Sequence, residues 1–131
     1  MNSFRKGGIV VAKTVDYEFK RGETQVLNKF RLLDAEGKTI ELGANDTIYF
    51  TVKKDAYTKD ALIQKTTRDE IELGEDGYYH ITLEPEDTNP LSYGEYQYDI
   101  EFKAIGVKTF VRTIIEGTIT LTEEITWGGN E

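Results

Sequence analysis

A two-residue period constrains this chain more than any other feature. Tyr96, Tyr98, Ile100 and Phe102 alternate with Glu95, Gln97, Asp99 and Glu101. One face is aromatic or aliphatic throughout and the other is polar, which suits an extended strand with a dry side and a wet side. The pattern recurs along the chain. Val15, Tyr17 and Phe19 alternate with Asp16, Glu18 and Lys20; Ile48, Phe50 and Val52 alternate with Thr47, Tyr49, Thr51 and Lys53; Tyr79, Ile81 and Leu83 alternate with Tyr78, His80 and Thr82. Val26, Phe30 and Leu32 are expected to share one face, residues 39–42 to form a short strand, and residues 61–67 to form an edge strand with polar outer positions that include a Lys. Helical periodicity is absent, and only residues 85–91 suggest a single helical turn.

Turn signals punctuate these strands. Arg21-Gly22-Glu23 breaks the first strand, Asp34-Ala35-Glu36-Gly37 is a turn with Gly where positive φ is needed, and Glu75-Asp76-Gly77 is another turn. Seven or eight short strands without helices predict an all-β fold, an antiparallel β-sandwich. The domain is assigned to residues 1–122, with an exit segment over 123–131. Eight Tyr and six Phe compensate for an apolar fraction of only 38%, consistent with a thin core between two sheets.

Parity bears on the last hairpin. Inward residues are even-numbered before Gly106, while Val107, Val111, Ile115, Ile119 and Leu121 share an odd face after it. Without a bulge, an even-length connection pairs Ile100 with Val111 and sets Asp99 opposite Arg112 outside. That register leaves Phe110 and Ile114 on a wet face. With Ile125 and Trp127 of the exit segment they form a candidate interface, covered either by the chain's own termini or by another subunit.

Several functions are disfavoured by composition. The absence of Cys removes disulfides, thiolate metal sites and cysteine nucleophiles. A net charge of −8 opposes phosphate-backbone binding, so no nucleic-acid partner is expected. The early apolar run Ile-Val-Val-Ala is too short for a signal peptide or membrane span, so a soluble protein made in the cytoplasm is expected, with no membrane partner.

The stretch LEPEDTNPLSYGEYQY carries the chain from one strand to the next through an acidic, Pro-containing turn. It resembles the tyrosine corner of immunoglobulin-like sandwiches, where a Tyr near a strand start hydrogen-bonds back to the preceding turn. On that resemblance Tyr96 places its hydroxyl on the corner backbone, and Tyr98 takes the position where antibody domains carry a cysteine. Leu91 plugs the core end, and Gly94 permits close packing or positive φ.

The order of motifs is similar to a narrower group. Arg21-Gly22-Glu23-Thr24, Asp34-Ala35-Glu36-Gly37, Ile48-Tyr49-Phe50-Thr51-Val52-Lys53-Lys54 and Ala61-Leu62-Ile63-Gln64-Lys65 come first. Leu83-Glu84-Pro85-Glu86-Asp87-Thr88 and Gly94-Glu95-Tyr96-Gln97-Tyr98-Asp99 complete the series. Over roughly residues 15–122 this resembles small immunoglobulin-like proteins of phage and prophage tail regions in Gram-positive bacteria, similar to the N-terminal domain of siphophage baseplate upper proteins. The turn Leu42-Gly43-Ala44-Asn45-Asp46 departs from the Leu-Thr-Gly-Ala type of that group. The resemblance implies a structural, non-enzymatic tail or baseplate module with protein partners, a candidate homo-oligomer, located in the virion or in host cytoplasm during assembly.

Other readings give individual residues a chemical role. His80, the single histidine, alternates onto an outer face with no Cys or second His to join it, so no catalytic or metal role is assigned. Ser3 and Ser92 lack a nucleophile context. Acidic turns at Asp34, Asp46, Asp76 and Asp87 could gather oxygen ligands for calcium, but no EF-hand spacing is present; no metal or cofactor is expected. The alternative function is a bacterial surface or carbohydrate-binding module that uses Tyr49, Tyr57, Tyr78, Tyr93 and Trp127 as exposed rings.

Overall fold

The computed structural model describes residues 13–123. Their secondary structure is nearly all strand, with one short helix. The principal sheet has six strands: β1 (Lys13–Thr14), β2 (Tyr17–Lys20), β4 (Asp46–Lys53), β5 (Ile63–Thr66), β9 (Gly94–Ala104) and β10 (Phe110–Thr122). It runs β1-β10-β9-β4-β5, and β2 joins β10 beyond β1. Two separate two-stranded sheets pair β3 (Gln25–Val26) with β8 (Thr82–Leu83), and β6 (Glu72–Leu73) with β7 (Tyr79–His80). Bonds from Leu27 N to Ile81 O, and both ways between Phe30 and Tyr79, continue the β3 pairing alongside residues 79–83. The helix α1 (Pro85–Thr88) follows β8.

Alternation becomes packing as expected in the central strands. Ile48, Phe50 and Val52 of β4 and Tyr96, Tyr98, Ile100 and Phe102 of β9 are buried, and they join Phe30, Tyr79, Ile81 and Leu83 from outside that sheet in one core. β4 and β9 pair with Phe50 opposite Ile100 and Ile48 opposite Phe102, so their apolar faces coincide. The β5 strand lies at the sheet edge, where residues 61–67 were expected.

Several expectations need correction. The principal sheet is mixed, not antiparallel, because β1 and β2 run parallel to β10. The described residues hold ten strand segments where seven or eight are expected, since irregular residues divide β1 from β2 and β7 from β8. Leu27, not Val26, enters the core; Val26 is 62% exposed, and the inward parity changes between Leu27 and Phe30. Residues 39–42 contribute a single bridge, Leu33 to Thr39, although Ile40 is buried. The exit segment lies outside the described residues apart from Glu123.

The last hairpin is corrected by a bulge. Phe110 pairs with Ala104 and Arg112 with Phe102, whereas Ile115 pairs with Ile100 after a shift between Thr113 and Ile115. The connection therefore spans five residues, 105–109, rather than an even number. One extra residue switches the inward parity of β10 halfway along. Val111 is consequently exposed and Val107 lies exposed in the connection, while Ile119 and Leu121 are buried.

Candidate functional site

The corner is assembled from local chemistry. Pro85 occupies the first turn of α1, where a missing N–H costs nothing. The Glu84 N–H donates to Asp87 Oδ2 at 2.7 Å, tying the helix entrance. The chain then turns through Leu91, which packs half-buried against the core, to Gly94 at φ +130°. No atom lies within 4 Å of a Cβ built on Gly94, so its backbone angle, not close packing, calls for glycine. Tyr96, 2% exposed, donates its phenol hydrogen to the Ser92 carbonyl at 2.7 Å. The bond closes the loop onto the strand that follows it.

Two further groups clamp this corner. Lys65 of β5 is 3% exposed, with Nζ 3.0 Å from Asp87 and 3.3 Å from Glu70. Burial works against its positive charge, but Asp87 and then Glu70 outweigh that and hold the ammonium above its usual range. Strand alternation predicts an outer, polar position for this Lys; in the structure it shares the inner face with Ile63. Its partners come from a helical turn and a loop, which strand parity cannot foresee. From the other side, the Gly22 N–H donates to Thr88 Oγ1 at 2.8 Å and Arg21 reaches the Leu91 carbonyl at 3.3 Å.

Tyr98 takes a different role from Tyr96. Its ring packs near Phe50 and Tyr17, and its hydroxyl donates to the Val15 carbonyl at 2.6 Å. Burial raises the phenol's pKa far above its ordinary value, with smaller contributions from Tyr17 and Asp16. Val15 sits at the break between β1 and β2, opposite Gly117, where any side chain would collide with the Val15 carbonyl. Asp16 completes the junction by accepting the Thr118 N–H at 2.9 Å.

The candidate interface residues are only partly accounted for. Phe110 and Ile114 do not project from the outer face; both pack against the core, Phe110 with its ring centroid 6.2 Å from that of Phe102. The bulge is the physical reason, because it turns the even positions inward before Ile115. Ile125 and Trp127 lie outside the described residues. Arg112 stands opposite Phe102 rather than Asp99 and lies over the Phe110 ring at 5.4 Å.

The outer face of the principal sheet carries a polar groove of about 460 Å³ with Asp16, Lys53, Gln97, Asp99 and Glu116 along it. Asp99 faces Glu116 directly across the β9–β10 ladder. Burial, then Glu101, raises the Asp99 pKa; Lys53 opposes this and Glu116 adds to it. Among the described residues no group of three or more His, Asp or Glu is placed to hold a metal ion. The turn carboxylates serve their own loops: Asp34 Oδ1 accepts the Glu36 and Lys38 N–H groups, and Asp46 accepts that of Gly43. Asp76 accepts the Tyr78 N–H and lies near Lys29 and His80, which together lower its pKa to about 2.

The tyrosines considered for sugar stacking occupy separate regions. Tyr57 is 95% exposed in the loop after β4, while Tyr93 in the corner lies under Arg21. Tyr78 lies beneath Lys29 and Arg31 just before β7, and Tyr49 is half-buried on β4. Trp127 is outside the described residues. No protein-family model matches the chain, and no curated protein matches its sequence. No helix among the described residues is long and apolar enough to cross a membrane.

Proposed function

We propose that the chain is a structural, non-enzymatic assembly module of a phage or prophage tail, built as an immunoglobulin-like sandwich. The Tyr96–Ser92 bond is the observation that carries the reading, because it occurs in the segment that anchors the motif series. The pairing of β9 and β10 with β4 on one side and with parallel β1 and β2 on the other supports the immunoglobulin-like assignment. An assembly module works by holding a fixed shape while its loops meet neighbours. The clamped corner, held by Lys65, Thr88 and Arg21, suits that role. Its place of action is the virion, or the host cytoplasm during assembly, and its partners are tail proteins.

Antibody raised against the chain tests this reading on particles released from induced source cells. Labelling of tails or baseplates, with the chain recovered from purified particles by mass spectrometry, is the expected result. A chain that is expressed but absent from both particles and tail assembly intermediates overturns it.

A further inference from the structure

The loop joining β9 to β10 is an apolar knob. Ile105 is 53% exposed, Val107 is 103% exposed, and Val111 just beyond the loop is 48% exposed. Branched aliphatic side chains at a hairpin tip gain nothing from water. The base of the knob is fixed, since Ile105 N–H donates to the Asn45 carbonyl at 3.1 Å and Ala104 pairs with both Asp46 and Phe110. Lys103 and Lys108 flank the tip with positive charge.

The same molecule carries a matching hole. A cleft of about 500 Å³ opens between residues 39–42 and β6, floored by Ile40, Ile71 and Tyr79 and lipped by Leu42 and Leu73. Leu73 is 61% exposed at that lip. Glu41, exposed and lining the cleft, gives the rim negative charge. Knob and cleft lie towards the same end of the sandwich. Asp46 pairs with Ala104 at the base of the knob, and two residues along β4 the Ile48 N–H donates to Thr67 Oγ1, at the wall of the cleft.

We propose that two copies of this chain associate end to end about a two-fold axis, each seating Ile105 and Val107 in the other's Ile40–Ile71–Leu73 cleft. Apolar surface meets apolar surface, and Lys103 and Lys108 of one copy meet Glu41 of the other. Knob and cleft are different patches, so the contact closes as a pair only about a two-fold axis; any other rotation gives a ring or an open-ended chain. Charge complementarity favours a second copy over an unrelated apolar surface, because the basic tip and acidic rim occur on a single chain. The inference rests on these surfaces and does not depend on the tail assignment.

Sedimentation of the full chain up to about 1 mM tests it, with Val107→Asp and Leu73→Asp as variants. Both side chains are exposed, so thermal melting should show both variants folded. The wild type is expected to dimerise, and each substitution to weaken the dimer by about tenfold or more. An equimolar mixture of the two variants retains one intact knob and one intact cleft, and should dimerise more tightly than either alone. A wild type that stays monomeric, an open-ended polymer, or a dimer unchanged by either substitution overturns the proposal. A mixture no tighter than the separate variants overturns it as well.

Discussion

Lys65 Nζ lies 3.0 Å from Asp87 Oδ2, and the same carboxylate oxygen accepts the Glu84 N–H at 2.7 Å. One carboxylate thus ties the edge strand β5 to the entrance of α1. With Lys65 only 3% exposed, losing its partner is worse than losing the lysine. Asp87→Asn should cost about 3 kcal/mol by leaving a buried ammonium with Glu70 alone. Lys65→Met should cost under about 1 kcal/mol, since an apolar side chain of similar length fills the same space. Urea denaturation of both single variants and the double variant checks this; the double should be more stable than Asp87→Asn.

The two buried aromatics of β9 separate packing from hydrogen bonding. Phe102 is 0% exposed, so Phe102→Ala should cost about 3–5 kcal/mol through lost burial and an unfilled cavity. Tyr96→Phe keeps the ring and removes only the bond to the Ser92 carbonyl, which should cost about 1–2 kcal/mol. Chemical denaturation midpoints should fall in that order. An unchanged midpoint for Phe102→Ala would contradict its place in the core.

Where a strand alternates without interruption, the sequence was enough to predict its faces. β4 and β9 face inward at the residues their period selects, because a two-residue repeat leaves one choice of side. β10 could not be read in the same way. Its bulge between Thr113 and Ile115 leaves no compositional mark, yet it moves Phe110 and Ile114 from the wet side to the core. The parallel pairing of β1 and β2 was hidden for a similar reason, since alternation fixes a face and says nothing of a neighbour's direction. The Lys65 site was missed because a charged residue on an edge strand ordinarily points to water. Here it points inward, an arrangement that discourages another strand from adding to that edge.

Asp99 should make stability depend on mildly acidic pH. Its carboxyl is held above the ordinary 3.8 in the fold, chiefly by burial and Glu101. The folded chain therefore binds this proton more tightly than the unfolded chain. The stabilisation is complete below 3.8 and disappears as pH rises through the raised folded value. Asp99→Asn, permanently uncharged, should be more stable than wild type at neutral pH, with the difference shrinking as pH falls towards 3.8. Thermal melts of both proteins from pH 3.5 to about 7.5 would show the two curves converge on the acid side. Parallel curves would remove Asp99 as the cause.

Gly94 and Gly117 should fail in different ways when given a methyl group. At Gly94 the added Cβ meets no atom within 4 Å, so only its φ of +130° resists. Gly94→Ala should cost about 1–3 kcal/mol, spread over the whole cooperative unit, because the angle is strained but no partner is displaced. At Gly117 the added carbon runs into the Val15 carbonyl, the group that accepts the Tyr98 hydroxyl. The backbone of β10 is paired to β9 on its other side and cannot retreat, so the strand around Val15 must move. Hydrogen exchange distinguishes the two cases. Gly117→Ala should lose protection at the Val15 N–H, which donates to the Glu116 carbonyl at 2.9 Å, while the β4–β9 amides stay protected. Gly94→Ala should lower protection in both places together. Uniform loss of protection in Gly117→Ala would mean that Val15 is not the group that gives way.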